Sequence, residues 1–457
     1  MSKAKSGPGL QRQIGLWSAT SLIVANMIGT GIFTTSGFIM QDLGSPGLLL
    51  AAWLVGGLFA LTGALCYAEL GVRLPKAGGE YAFLRESFGP LWGFLSGWVS
   101  LIVGFSAPIA ASAMAFAAYA LPLWPGTWFT AKSIDVGRVA LFTLSPQTMV
   151  ALAVIAGLSL IHARSLLKGI RLQNLLTGAK VVVILAFLVT GFAAWSGRPP
   201  LAFQPAATGA SFFSREFAVA LVYVSFAYSG WNAAAYLGGE IRNPGRNLPR
   251  SLLAGTLFVM ALYLLLNLLF LLVLTPRQMS GVLPVGALVA EGLLGNAGGK
   301  VFSAAVAFFL LSNAGAMILA GPRVYYAMAC DGVFFSALAR VDARGHTPKA
   351  AVLLQAGIAA LLVLTASFSW LLIYIGLTLS LFAMLTVLGL MVLRRRGPDS
   401  GAYRTPGYPL TALFFAAGNL WIIAHSLAAR PLVGVAALLT LAVGGLVYAG
   451  FKKSDRR

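Results

Sequence analysis

"NMIGTGIFTTSG", residues 26–37, decides the fold. It lies inside an apolar run long enough to cross a bilayer, yet it holds three glycines, three threonines and a serine. In lipid an unpaired backbone N–H or C=O costs several kcal/mol, so irregular backbone survives only where protein buries it or a wet cavity receives it. Gly29 and Gly31 let the chain unwind without a Cβ penalty. The half-helix starting near Thr30 then offers free N–H groups and the positive end of its dipole, suited to a carboxylate. The half-helix ending just before offers carbonyls, suited to an ammonium.

A second interruption, "FAYSGWN", occupies residues 226–232. The surrounding sequence explains why the two belong together. Of the 457 residues, 59% are hydrophobic and 10% charged, against roughly 25% charged in soluble domains. Apolar runs recur at about 14–40, 46–71, 89–120, 145–162, 171–195, 214–239, 249–274, 299–330, 349–366, 368–393, 408–428 and 431–451, each near the length of a transmembrane helix. The interruptions fall in spans 1 and 6, five spans apart and opposite in direction. Paired glycine-broken spans at matching positions point to a transporter site at the bilayer midplane of an inverted repeat. An α-amino acid, with both charges on one carbon, is the natural ligand. The alternative is that these glycines serve close helix packing.

The expected architecture is all-α and integral to the membrane, a single domain over 1–457. Repeat one covers about 14–195, repeat two about 214–393, and two extra helices about 408–451. The net charge of +20 sorts by loop. Twenty-four of the 32 basic residues fall on the side of the N-terminal tail (Lys3, Lys5, Arg12), including Lys76, Lys168, Arg171, Arg344, Lys453, Arg456 and Arg457, and seven on the other, among them Lys132, Arg138 and Arg198. This is a positive-inside pattern and places both termini in the cytoplasm of an inner-membrane protein. It argues against nucleic acid and leaves membrane lipid as the partner of the basic surface. No cleavable signal peptide is expected, because the first apolar segment is too long for one.

Catalytic and metal signatures are lacking. His162, His346 and His425 fit no zinc spacing, Cys66 and Cys330 make no disulfide framework, and neither HExxH nor GxSxG occurs. No enzyme activity, metal or cofactor is expected. Lys180, in "LLTGAKVVVILAF", sits about ten residues into span 5, where a charge costs at least ~2.5 kcal/mol and is by default functional. A lysine snorkelling to the surface is its other reading.

The segments "NMIGTGIF" (26–33), "LGSPGLLLAAWLVGGLFALTGALCYAELGVRLPKAGGEYAFLRESFGPLWGF" (43–94), "FAYSGWNAAAYLGGEIRNPGRNLPRS" (226–251) and "GPRVYYAMACDGVFF" (321–335) resemble the amino acid–polyamine–organocation (APC) superfamily. Within it they resemble the L-type amino acid transporters and their prokaryotic relatives. The resemblance implies the leucine-transporter-like fold, twelve helices in a 5+5 inverted repeat with discontinuous helices 1 and 6. It implies a substrate carboxylate at the N–H groups of Gly29, Thr30 and Gly31. The ammonium would meet carbonyls near Met27 and Ile28, and near Phe226, Ala227 and Ser229. Phe226 stands where relatives carry an aromatic gate, with the alternative of a lipid-facing or core ring, and Trp231 and Asn232 follow at the same break. Lys180 would replace a sodium ion, bracing the span 1 break against span 8 with Ser312 and Asn313 as partners.

Gly104 and Ser106–Pro108, with Ser229, suggest a pocket lined by small residues. Asn232 stands where arginine exchangers of the family have a glutamate, and none of the acids at the span ends falls clearly inside the pocket. A dibasic substrate would want a buried anion, so neutral amino acids are favoured, with cationic amino acids or polyamines as the rival. A non-transporting membrane sensor or scaffold is the reading from another class. Animal relatives join a glycoprotein through an extracellular cysteine after span 3; this stretch has none, so no disulfide-linked heavy chain is expected.

Overall fold

The computed structural model describes residues 12, 14–75, 78–123, 132–136, 139–164, 166–195, 210–342, 347–397 and 403–454; side chains are not described at 131–141, 166–173 and 453–454. Lys3, Lys5, Lys76, Arg138, Arg198, Arg344, His346, Arg456 and Arg457 lie outside the described residues, as do the side chains of Lys132, Lys168, Arg171 and Lys453.

The chain is a helical bundle. The first expected span is two helices, α1 (Leu16–Met27) and α2 (Thr30–Leu43). Next come α3 (Pro46–Arg73), the short α4 (Glu80–Phe88), and α5 (Pro90–Val99), which passes through a π-helical stretch at Ser100–Ser106 into α6 (Ala107–Ala120). An antiparallel hairpin, β1 (Lys132–Val136) and β2 (Val139–Leu144), stands between α6 and the next helix. After it follow α7 (Pro146–His162), α8 (Leu166–Ala194), α9 (Arg215–Tyr228) and the single turn α10 (Ala233–Tyr236). Then α11 (Pro244–Val273) and α12 (Pro276–Met279) lead to α13 (Val285–Ala320), which continues past Gly321 as α14 (Pro322–Cys330). The last four are α15 (Lys349–Thr365), α16 (Phe368–Arg396), α17 (Leu410–Ala429) and α18 (Pro431–Ser454).

Local chemistry sets the ends. Proline, whose missing N–H is harmless in a first turn, opens α3, α5, α7, α11, α12 and α14. Ser145 with Thr148, and Thr275 with Gln278, close reciprocal capping boxes on α7 and α12. Gly44 ends α2 in the left-handed region at φ 60°, its N–H 2.8 Å from the Met40 carbonyl.

Among the described residues, nine helical segments are long and apolar enough to cross a membrane, and two shorter apolar helices, Pro146–His162 and Lys349–Thr365, fall at expected spans 4 and 9. In the run at 214–239, expected to break at 226–232, α9 stops at Tyr228 and one helical turn follows. The helix expected from 299 is joined to a preceding helical stretch that starts at Val285, the two meeting in a kink at Gly295 (φ 72°). The outward faces are apolar, as Leu175, Val182 and Val189 of α8, each about two-thirds exposed, illustrate. Polar residues such as Thr34, Lys180, Asn267 and Asn313 are buried inside. This inversion of a soluble protein's pattern marks a multi-pass membrane protein.

The two interrupted helices lie side by side. α1 touches α10 and α2 touches α9, so each first half meets the other's second half and the two run in opposite directions with their breaks level. Ahead of α1, Ile14 pairs with Ile241: the Ile14 N–H donates to the Glu240 carbonyl, and Arg242 N–H donates back to Ile14, both at 2.9 Å.

Candidate functional site

Ile28 and Gly29 leave the helical region, Gly29 at φ −141°, ψ −144°. Gly29 carries no capping side chain, so the first N–H groups of α2 turn toward the gap with no side-chain acceptor of their own. In the second break Ser229 is extended (ψ 144°) and Gly230 takes φ 99°, a conformation only glycine adopts cheaply. A side chain on Gly230 would run into Asn26 of α1. A Cβ on Gly31 would overlap the Cα of Ala227. The helices therefore touch backbone to backbone where both are broken.

Between the breaks is a cavity of about 10 Å³ lined by Met27, Gly29, Thr30, Gly31, Phe226, Ala227 and Ser229, together with Asn26, Pro108, Ser112, Asn313 and Met317. Seven of the residues predicted to bind substrate thus meet in one place, with Asn313 of the predicted brace. The eighth, Ile28, points its carbonyl elsewhere: Lys180 Nζ donates to it at 2.6 Å and to the Ala25 carbonyl at 3.4 Å. Lys180 is fully buried rather than extended toward a surface. Its brace to span 8 is indirect. An amide oxygen cannot face two carbonyls, so the nitrogen of Asn313 takes that side, donating to Ala25 (3.2 Å) and Asn26 (3.3 Å) and leaving its oxygen to accept from Ser112 Oγ (3.0 Å). Lys180 from α8 and Asn313 from α13 therefore converge on the Ala25 carbonyl, and Ser312 is buried next to Asn313. Ser112 continues the chain to Thr30 Oγ1 at 2.9 Å.

The remaining predicted residues belong to an adjoining cavity of about 90 Å³, which shares Asn26, Ser229 and Met317 with the first and is lined by Gly104, Trp231, Asn232, Glu80 and Phe105. Trp231 stacks edge-on to Tyr67, centroids 4.7 Å apart. Asn232 donates to Glu80 Oε1 at 2.9 Å, and the Tyr67 hydroxyl donates to the same oxygen at 2.7 Å. Burial pushes the Glu80 carboxyl up to about 7, against the pull of donors on Tyr67, Asn232 and Tyr236.

Three details add to these expectations. Glu80 lines the larger cavity rather than the one between the breaks. The carbonyls expected to meet an ammonium each already accept one hydrogen bond: Met27 from the Tyr263 hydroxyl at 2.5 Å, Ile28 from Lys180, and Phe226 from Ser229 N–H at 3.0 Å. In span 3, Ser106 donates to Leu101 at 2.6 Å within its own helix, and the pocket hydroxyl is Ser112.

Sequence reading missed Ser112, Glu80 and Tyr263. The Tyr263 hydroxyl also reaches the Ala227 carbonyl at 3.2 Å, so one oxygen joins the two breaks. No local signal distinguished these residues from other helix interiors; a tyrosine amid leucines in α11 was the faint one.

Beyond the larger cavity, the acids near Glu80 are cross-linked to basic residues. Arg85 of α4 pairs with Asp331 after α14, and the Tyr81 hydroxyl donates to Asp331 at 2.6 Å. Arg323 meets Glu240 at 3.3 Å, and Arg394 meets Glu69 at 2.5 Å. The described cysteines are unlinked: Cys66 is buried and Cys330 exposed.

Similarity to known proteins agrees with this arrangement. A family model described as amino acid permease matches residues 14–447. The serine/threonine exchanger SteT of Bacillus subtilis (strain 168) is 30% identical over 459 residues, 97% of this chain and 98% of that protein. The large neutral amino acids transporter small subunit 2 of Homo sapiens is 30% identical over 95% of this chain and 80% of its own length. The Asc-type amino acid transporter 1 of Mus musculus is 31% identical over 85% and 72%. With the family model spanning nearly the whole chain and relatives at that identity along most of it, this chain belongs to the amino acid permease family.

Proposed function

We propose that this chain is a sodium-independent secondary transporter of neutral L-amino acids, working by alternating access as an exchanger or with protons. The observation that carries the reading is the pair of level chain breaks with Lys180 Nζ 2.6 Å from the Ile28 carbonyl. The ammonium stands where a transporter of this architecture would otherwise need a cation to hold unwound backbone. The α2 N–H groups receive the substrate carboxylate, Phe226 covers it, and the larger cavity leads away past Trp231, Asn232 and Gly104. The architecture proposed with it is one domain of twelve spans in a 5+5 inverted repeat, with discontinuous helices 1 and 6 and both termini cytoplasmic. The names of the relatives, a serine/threonine exchanger and neutral amino acid transporters, support the substrate class. No cofactor, catalytic step or disulfide-linked heavy chain is part of the proposal.

The test is counterflow in proteoliposomes with a panel of labelled amino acids, in sodium and in choline. Saturable exchange of neutral amino acids, equal in both salts, supports the reading; flux that needs sodium overturns it. Glu80 in the larger cavity favours one rival, a carrier of cationic amino acids or polyamines, since it supplies the buried anion such a ligand wants. Competition by arginine and putrescine separates the two.

A further inference from the structure

The acids at the Glu80 end differ in their partners. Glu69 has Arg73 (2.9 Å) and Arg394 (2.5 Å), Glu240 has Arg323 (3.3 Å), and Asp331 has Arg85. Glu80 is 4% exposed and, among the described residues, pairs with no lysine or arginine; its neighbour Lys76 lies outside them. Three neutral donors face it: the Tyr67 hydroxyl from α3, the Asn232 amide from the break before α10, and the Tyr236 hydroxyl from α10. Around these, Tyr67 is near Thr386 of α16 and Tyr236 faces Tyr325 of α14. On its own helix, Tyr81 and Arg85 are engaged with Asp331. A buried carboxylate without a cation is unfavourable, and this one borders the larger cavity. At roughly 10–15 Å³ per water, about 90 Å³ admits several waters to deliver and remove a proton.

We propose that Glu80 is a proton-binding site of the carrier, exchanging a proton with water in the larger cavity, and that protonation unlatches α10 from α3 and α4. An ionised carboxylate only accepts, so it serves three donors together. When an O–H bond forms on one oxygen, the carboxyl loses its charge and becomes a weaker acceptor for all three donors, and its new O–H needs an acceptor of its own, which a tyrosine hydroxyl can supply only by ceasing to donate. The proton comes from water in the cavity and goes back to it; no other reactant is needed. Asn232 and Tyr236 sit on the segment that follows the second break, so the change is felt where the helix is already discontinuous. This rests on the transport reading above and identifies a group by which protons could enter the cycle.

Two measurements test it. In proteoliposomes, wild-type exchange should rise by up to about tenfold from pH 8 to pH 6, as the protonated fraction of a group titrating near 7 does. Glu80→Gln, an amide with the hydrogen-bonding shape of the protonated acid, should exchange at pH 8 at the wild-type pH 6 rate and lose the pH response. Tyr67→Phe removes a donor that favours the charged form, so its profile should move to higher pH. Independently of flux, infrared titration of the purified protein should show a carboxyl band protonating between pH 8 and 6 that Glu80→Gln lacks. That band decides the proposal even if no amino acid is carried, a result that would sink the transport reading alone. A Glu80→Gln variant with the wild-type pH profile, or an unchanged infrared titration, overturns the proposal. Loss of arginine competition in Glu80→Gln with the pH profile intact overturns it in favour of a subsite for a cationic side chain.

Discussion

Tyr263→Phe removes one oxygen from the centre of the site and little else. The ring stays held edge-on to Trp53 (centroids 5.3 Å) and against Tyr228 (5.1 Å), so the core is not opened. What goes is the hydroxyl that donates to Met27 at 2.5 Å and reaches Ala227 at 3.2 Å. Met27 ends α1 and Ala227 lies just before the end of α9, so this contact ties one break to the other. The Met27 carbonyl is buried, and leaving it without a donor costs about 1–3 kcal/mol. The longer Ala227 contact adds less. Because the tie preorganises the pocket, most of that cost should appear in substrate affinity. At 1.4 kcal/mol per decade, the loss is about 5- to 150-fold. The assay is equilibrium binding of a labelled neutral amino acid to purified protein, with the melting temperature measured in parallel without substrate. Affinity within twofold of wild type would refute the reasoning. A lowered melting temperature with unchanged affinity would make the hydroxyl purely structural.

Other perturbations address separate links. Lys180→Met should leave a folded, membrane-inserted protein with transport at least about tenfold down, because the Ile28 carbonyl loses its donor; near-normal uptake would remove the brace. Gly31→Ala should abolish exchange, since its methyl would occupy the position of the Ala227 backbone, and uptake assays with the purified variant would check this. Ser112→Ala cuts the chain from Thr30 to Asn313 and should weaken substrate binding by about 1–3 kcal/mol, read by the same binding assay. Arg394→Met strips one partner from Glu69, whose side chain is fully buried, and removes the guanidinium lying 3.7 Å from the Tyr408 ring centroid. Glu69 keeps Arg73 and Thr405, so the loss is that of a charge-assisted hydrogen bond, about 1.5–3 kcal/mol; the melting temperature should fall while the affinity of the surviving folded protein holds.

The sequence by itself determined the membrane setting and the positions of the two breaks. Both follow from a rule that acts locally: lipid offers backbone groups no hydrogen bonds, so an unwound segment announces itself by Gly29, Gly31 and Gly230 inside apolar runs. Lys180 was legible for the same reason, as a charge in the middle of a span. Tertiary structure alone decided what meets the breaks. Ser112 and Tyr263 come from two different helices, and which face of each points inward is set by packing among neighbours, since a helix in lipid has no water-facing side to give its orientation away. It also turned the Met27 and Ile28 carbonyls to Tyr263 and Lys180. Glu80 shows the limit most clearly. Its sequence surroundings are those of a polar loop, and only the fold, which brings Tyr67 of α3 and Asn232 ahead of α10 onto the start of α4, removes it from water and sets it against the cavity.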